Sequence, residues 1–158
     1  MPKVKYSETK GLYQEAGSGV DLEGQVTMRR KVVALTAART VVSADSGTIF
    51  TLGTAGGFTV TLPNASDAGA GFYCRFVVKV APTTAYLINA TAGDGDNIYG
   101  SVMNSEGGAG DLTNGTGTDV LTIVANKGQI GDYIEIMSDG SKWYCQIQAE
   151  QNDAITLS

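Results

Sequence analysis

The sequence contains no histidine among its 158 residues. Without an imidazole the chain cannot form a Ser-His-Asp triad, a Cys-His pair or a zinc site of the usual kind, and it has no histidine general base. It also lacks a GxxxxGK[ST] loop and a GxGxxG motif after a strand, so no nucleotide site is indicated. These absences remove the commonest catalytic constellations from consideration.

Long apolar runs are also missing. No stretch approaches the roughly 20 apolar residues that a membrane-spanning helix needs, and no apolar segment of a signal peptide follows Met1–Ser7. We therefore expect a protein that is made in a cytosol and has no membrane partner. The triplets that begin at Asn64, Asn89 and Asn114 are formal glycosylation sites, which we interpret as turn residues.

Basic charge is scarce after residue 40. Residues 1–40 hold seven of the eleven basic side chains and four of the sixteen acidic ones, so this part is net +3 and the remainder is net −8. An acidic body argues against nucleic-acid binding, which needs a basic footprint. The basic start is a candidate contact arm, with scattered solvated charge as the alternative.

The composition favours strands joined by tight turns. Helix-forming Leu, Glu and Lys are sparse, threonine is abundant and glycine occurs 21 times. No window shows convincing helical periodicity, and turn signals recur roughly every 8–12 residues, as in a sandwich or barrel. We predict an all-β fold, an antiparallel β-sandwich or barrel of jelly-roll-like form at residues 26–158, with an extended N-terminal arm at residues 1–25.

Alternation of apolar and polar residues locates the strands. The main strands are predicted at residues 47–52, 57–62, 72–80, 120–124, 130–138 and 142–148. The last two flank Asp139-Gly140, a pair typical of a type I′ turn with positive φ at both central positions. Phe76 and Trp143 are predicted to be buried, and the Gly-rich residues 100–117 are predicted to form a long loop.

Carboxylates are the remaining candidates for chemistry. A glycosidase needs only two acids at the right separation, but the acids here lie mostly beside glycines in turns, at Asp67, Asp94, Asp96, Asp111 and Asp139. Asp94-Gly95-Asp96-Asn97 could supply two calcium ligands, or it could be a polar turn, because the rest of an EF-hand loop is missing. We assign no catalytic, cofactor-binding or metal-binding residue and expect a protein that is not an enzyme.

The two cysteines, Cys74 and Cys145, lie on the apolar faces of predicted strands. Buried free thiols are the expectation for a protein made in a cytosol. A Cys74–Cys145 disulfide formed after release into an oxidising medium is a second interpretation. A reactive nucleophile is a third, although no neighbouring base is visible.

Two segments carry a family resemblance. The run Leu35–Leu52 followed by Gly57–Pro63 resembles the opening of small β-domains in virion proteins of tailed bacteriophages, and Ser138–Tyr144 is similar to their terminal hairpin. The resemblance covers about residues 33–148. It implies a capsid decoration (cement) protein, a head fibre or a tail-fibre module.

The resemblance also suggests where such a protein acts. The chain is short, begins with Met1 and has no coiled-coil or repetitive shaft, which favours a decoration protein over a tail fibre. We therefore expect a protein made in the host cytoplasm and located on the capsid exterior, with the major capsid protein and copies of itself, as a homotrimer, for partners. A tail-fibre or head-fibre module that binds a receptor or glycan is the alternative.

Overall fold

The computed structural model describes residues 4–7, 11–14, 29–90, 98–104 and 113–158, and most of these residues form β-strands. The strands are β1 Val4–Ser7, β2 Gly11–Gln14, β3 Val32–Leu35, β4 Arg39–Thr40, β5 Ile49–Leu52, β6 Thr59–Thr61, β7 Ala70–Val78, β8 Tyr86–Asn89, β9 Ile98–Asn104, β10 Thr113–Thr118, β11 Val120–Ile123, β12 Tyr133–Asp139, β13 Trp143–Ala149 and β14 Ile155–Leu157. Helix is limited to α1, Ala65–Ala68, and a 3-10 turn at Ser43–Asp45. Within the described residues, no helix is long and apolar enough to cross a membrane.

The strands after β2 form two sheets. One has seven strands in the order β10-β9-β13-β12-β7-β5-β3, and the other has five in the order β14-β11-β8-β6-β4. The predicted all-β fold is therefore confirmed, and the six main predicted strands are found with ends shifted by a few residues. Helix α1 was not predicted, because a single turn is too short to display a helical period.

Both sheets contain parallel pairs. In the larger sheet β3 pairs parallel with β5, β5 with β7, and β13 with β9. In the smaller sheet β4 pairs parallel with β6, and β6 with β8. The predicted antiparallel arrangement is therefore wrong, and an all-antiparallel jelly roll does not describe these sheets. Alternation along a strand reports which side is buried and says nothing about the direction of the neighbouring strand.

The parallel pairs arise because the chain from β3 to β8 alternates between the two sheets. Strands β3, β5 and β7 lie side by side in the larger sheet, while β4, β6 and β8 lie side by side in the smaller one. Parallel neighbours need a crossover connection, which is usually a helix. Here each crossover includes a strand of the other sheet, so the chain winds like a coil with one strand of each sheet per turn.

Buried residues of both sheets form one hydrophobic cluster. Strand β7 alternates as predicted, with Phe72, Cys74, Phe76 and Val78 buried and the residues between them half-buried. Phe76 and Trp143 are fully buried, which confirms their predicted place in the core. The larger fully buried side chains are Trp143, Tyr86, Phe50, Phe76, Leu52, Leu62, Ile88, Ile98, Leu121, Ile123, Ile134 and Ile136.

The hairpin between β12 and β13 is present, but its turn differs from the predicted one. The Asp139 amide donates to the Lys142 carbonyl, so Gly140 and Ser141 are the central residues. Only Gly140 has a positive φ, of 91°. Asp139 acts through its side chain instead, accepting hydrogen bonds from the amides of Ser141 and Lys142 at 2.8 and 2.7 Å. The Asp139-Gly140 pair therefore predicts the location of the turn correctly. Its central residues are Gly140 and Ser141, one position later than predicted, because the Asp139 carboxylate caps the turn from outside.

One further prediction needs revision, and another lies only partly within the described residues. The predicted loop at residues 100–117 begins and ends in strand, since β9 continues to Asn104 and β10 starts at Thr113 and pairs with it. Small and polar residues suggested a loop there, but an edge pair tolerates them. In the predicted N-terminal arm, β1 and β2 pair with each other as antiparallel strands. The rest of residues 1–25 lies outside the described residues, and the domain boundary at residue 26 stays a prediction.

Candidate functional site

The acidic residues considered above for catalysis form hydrogen bonds within turns or beside α1 wherever the structure describes them. Asp139 caps the hairpin, and hydrogen bonds from the amides of Ser141 and Lys142 and the Ser141 hydroxyl lower its pKa to about 2. Asp67 accepts a hydrogen bond from the Asn64 amide at 3.3 Å, beside α1. Asp94, Asp96 and Asp111 lie outside the described residues, so the calcium alternative stays untested. Elsewhere in the described chain, no three Cys, Asp or Glu side chains cluster as a metal site.

The two cysteines are free and buried. Both are in register with Ile136, Cys74 on one side of β12 and Cys145 on the other. Because neighbouring strands lie ~4.8 Å apart, their Cα atoms are about 10 Å apart, beyond the ~7 Å that a disulfide allows. Burial raises the pKa of the Cys74 thiol above its usual range and that of Cys145 to about 12. The structure therefore favours buried free thiols over a disulfide or a nucleophile.

The outward side of the seven-stranded sheet carries a grid of aromatic and polar side chains. Strand register aligns residues across β9, β13, β12 and β7 in three rows. The tyrosine row is Tyr99, Tyr144, Met137 and Tyr73; the polar row is Ser101, Gln146, Glu135 and Arg75; and the third row is Met103, Gln148, Tyr133 and Val77. Tyrosine, methionine and arginine are residue types that are enriched in protein–protein interfaces.

Electrostatic contacts fix one end of the polar row. Glu135 Oε1 accepts hydrogen bonds from the Arg75 guanidinium and, at 2.7 Å, from the Tyr73 hydroxyl. The Arg75 bond, with the Tyr73 bond second, holds the pKa of Glu135 below its usual value and keeps it ionised at neutral pH. Arg75 also lies 4.7 Å from the ring centre of Tyr133. These contacts cancel the charge of the pair and hold three large side chains in place.

Beside this pair the polar row opens into a groove. We call it the polar groove; a cavity of about 330 Å³ is lined by Ser101, Glu135, Met137, Tyr144, Cys145 and Gln146. Tyr144 is 41% exposed, and its ring centre lies 6.3 Å from that of Tyr99. The Tyr144 hydroxyl donates to Asp139 at 3.0 Å, which orients the ring over the sheet.

The outward side of the five-stranded sheet is different in kind. We call it the threonine face; its two rows are Thr40, Thr61, Asn89 and Val120, and Thr59, Leu87, Thr122 and Thr156. Five of these eight positions are threonine and none is charged. Arg39, the charged residue of β4, is partly buried and forms an ion pair with Asp45. Charged residues are depleted at the centre of protein–protein interfaces, and this face of a chain of net charge −5 shares that feature.

A second groove, which we call the basic groove, lies beside residues 29–31. Arg29, Arg30 and Lys31 line a cavity of about 490 Å³ together with Ser46 and neighbouring residues. Arg30 lies 4.8 Å from the ring centre of Tyr73, and Lys31 Nζ lies 3.8 Å from Asp45 Oδ1. The positive charge that the sequence places early in the chain is thus partly concentrated in one described groove.

Sequence reasoning did not identify the polar groove or the threonine face. Each row combines residues from four strands, most of them distant in the sequence, and only strand order and register bring them together. The local signals were present, because Tyr73, Arg75 and Thr59 each alternate along the strand with buried neighbours. The sequence did not indicate which strands are neighbours.

Comparisons with known proteins do not assign this chain to a family. No model of a known protein family matches the chain, and no curated protein matches it.

Proposed function

We propose that this protein is a non-enzymatic structural component of a phage virion, a capsid decoration protein that binds the major capsid protein on the outer surface of the head. The observation that carries the proposal is the threonine face, an uncharged sheet surface on an otherwise acidic body. The resemblance of about residues 33–148 to phage virion β-domains supplies the biological setting. In this proposal the protein stabilises the head by binding and catalyses no reaction.

The first contact that we propose joins two copies of this protein. Copies of an acidic chain repel one another, and the repulsion is smallest where the facing surfaces carry no charge, as on the threonine face. We propose that it packs against a neighbouring copy in a homotrimer. Icosahedral lattices offer many local three-fold positions, and a closed cyclic trimer matches such a position without unpaired interfaces.

The capsid contact is assigned to the basic groove. Arg29, Arg30 and Lys31 are its positive side chains, and residues 1–25 precede them as the proposed contact arm. Attraction between this region and acidic groups of the lattice would weaken as salt is added. Three such contacts in one trimer would bind far more tightly than one, because the second and third are intramolecular.

The proposal includes a specific architecture. The two sheets would pack face to face as a β-sandwich, with their inward residues interdigitated and their outward faces on opposite sides. Support comes from the one hydrophobic cluster to which both sheets contribute. A sandwich would leave the threonine face and the polar groove free to contact different molecules.

A tail-fibre or head-fibre module that binds a receptor or glycan is the second candidate. The polar groove favours it, because exposed aromatic and hydrogen-bonding side chains there suit a small polar ligand better than a broad protein surface. The two candidates differ in location. A decoration protein covers the head in many copies, whereas a fibre module occupies a few positions on a fibre.

A cryo-electron map of intact particles tests the proposal directly. We expect three-fold density of this chain repeated over the head surface, with the threonine face turned toward a neighbouring copy. Particles that lack the protein should release their DNA at a lower temperature than complete particles. Density confined to the tail tip, or equal thermal stability of the two kinds of particle, would refute the decoration role.

A further inference from the structure

The polar groove crosses several strands rather than running along one. Its lining residues Ser101, Gln146 and Glu135 lie side by side on three strands, and with ~4.8 Å between neighbours this part of the polar row is about 10 Å long. Tyr144 and Met137 line one side of it, and Met137 is 53% exposed. The groove is therefore long enough for an extended ligand and has large side chains along one wall.

The hydrogen-bonding groups in the groove are available to a ligand. Among the described residues, neither the Ser101 hydroxyl nor the Gln146 amide has a hydrogen-bond partner in the protein. A hydroxyl and an amide can each both donate and accept, and the ionised Glu135 can accept. Arg75 lies beside Glu135 and cancels its charge. The groove thus presents donors and acceptors without net charge.

These features match the chemistry of a sugar. A pyranose ring has an apolar face of C–H groups, which packs on an aromatic ring, and hydroxyls at its edge that both donate and accept hydrogen bonds. Tyr144 supplies an exposed ring next to Gln146 and Ser101. A peptide would fit less well, because the backbone groups of β12 and β13 are paired within the sheet and cannot bond an added strand.

We infer that the polar groove binds a neutral oligosaccharide, with Tyr144 packed against a sugar ring and with Gln146 and Ser101 bonded to its hydroxyls. Glu135 is the one carboxylate among the lining residues, whereas retaining and inverting glycosidases generally use two, so the bound sugar is held and not cleaved. The inference does not rest on the capsid role, because the groove and the threonine face belong to different sheets.

An array of neutral and charged oligosaccharides, followed by titration of the best ligand, tests the inference. We expect binding to neutral hexose oligomers. Tyr144→Ala and Gln146→Ala should each weaken it by about tenfold or more, because they remove the stacking ring and a directional hydrogen-bonding group. Tyr144→Phe keeps the ring and should retain most of the binding.

Matched variants distinguish a specific loss of sugar binding in the polar groove from general destabilisation of the protein. Gln148→Ala changes the same residue type on the same face of β13, one row away from the groove, and should bind like the original protein. All variants should keep a melting temperature within a few degrees of the original, since these side chains are outside the core. Absence of any neutral ligand on the array, or binding that survives both Tyr144→Ala and Gln146→Ala, would overturn the inference. Thr122→Lys, on the threonine face, should leave sugar binding intact even if the capsid proposal fails.

Discussion

Phe76 lies at the centre of the core, where its ring stacks on Phe50 with 5.2 Å between the ring centres. It is fully buried, so truncation leaves a cavity that the surrounding strands cannot fill. We expect Phe76→Ala to lower the free energy of unfolding by about 3–5 kcal/mol, measured by chemical denaturation. Val77→Ala, on the opposite side of the same strand, should cost far less. Equal losses from the two variants would mean that the faces of β7 are reversed.

Asp45 is a buried acid on which the stability of the body should depend at low pH. It is 3% exposed, and both its carboxylate oxygens accept from Arg39 at 2.8 and 2.9 Å. Burial alone would raise its pKa, but the hydrogen bonds from Arg39 and the Val42 amide outweigh burial and bring the pKa below the ordinary value. The folded state therefore favours the ionised carboxylate.

The sign of the pH effect follows from that lowered pKa. Stabilisation by Asp45 is complete above the ordinary carboxyl pKa of about 4 and is lost as the pH falls through the lower folded-state pKa. We expect the free energy of unfolding to fall as the pH drops below about 4. Asp45→Asn should cost about 1.5–3 kcal/mol at pH 7 and show a shallower decline in acid. Parallel pH profiles for the two proteins would contradict this role of Asp45.

At the scale of the element, Gly100 of β9 lies opposite Cys145 of β13 and leaves no room for a side chain. A Cβ atom there would lie 2.1 Å from the Cys145 carbonyl oxygen and 2.4 Å from its sulfur. Because the carbonyl belongs to the backbone, the two strands would have to move apart. We expect Gly100→Ala to lower the free energy of unfolding by at least about 2 kcal/mol.

A control for that substitution lies in the turn between β5 and β6. A Cβ atom at Gly56 would have no neighbour nearer than 3.9 Å, and the residue is exposed. Gly56→Ala should therefore change the melting temperature little, while Gly100→Ala lowers it clearly. A small effect of both variants in thermal denaturation would show that β9 and β13 are farther apart than the structure places them.

The elements also show how far the sequence could predict this fold. Strand positions and their buried faces followed from local alternation, as in β7 and the β12–β13 hairpin. The pairing of β3 with β5 or of β13 with β9 could not be predicted from local alternation, because parallel and antiparallel strands share the same alternation. For the same reason the polar groove could not be predicted, since Ser101, Gln146 and Glu135 are brought together by register between strands.

At the scale of the whole molecule, the proposed trimer gives the sharpest prediction. Thr122 lies in the middle of the threonine face, between Leu87 and Thr156. Thr122→Lys places an unpaired charge in the contact between copies, where its burial is costly, so we expect sedimentation to change from trimer to monomer. Occupancy on heads should fall as well, because the avidity of three linked contacts is lost.

Thr51→Lys is the matched control for the trimer. Thr51 is half-buried in β5 of the other sheet, so the same change of residue type leaves the threonine face intact. This variant should sediment like the original protein. A protein that is monomeric without any substitution, or a Thr122→Lys variant that stays trimeric, would remove the threonine face from the proposal.

The coil-like path from β3 to β8 also determines how the chain can fold. Neither sheet is a continuous piece of sequence, because every strand of one is separated from its parallel neighbour by a strand of the other. A nascent chain that has emerged only as far as β8 lacks β12, which pairs with β7, and β11, which pairs with β8. Such a distribution of distant pairings makes folding slow and leaves no sheet able to form or to unfold alone. The body should therefore lose its structure in one cooperative step.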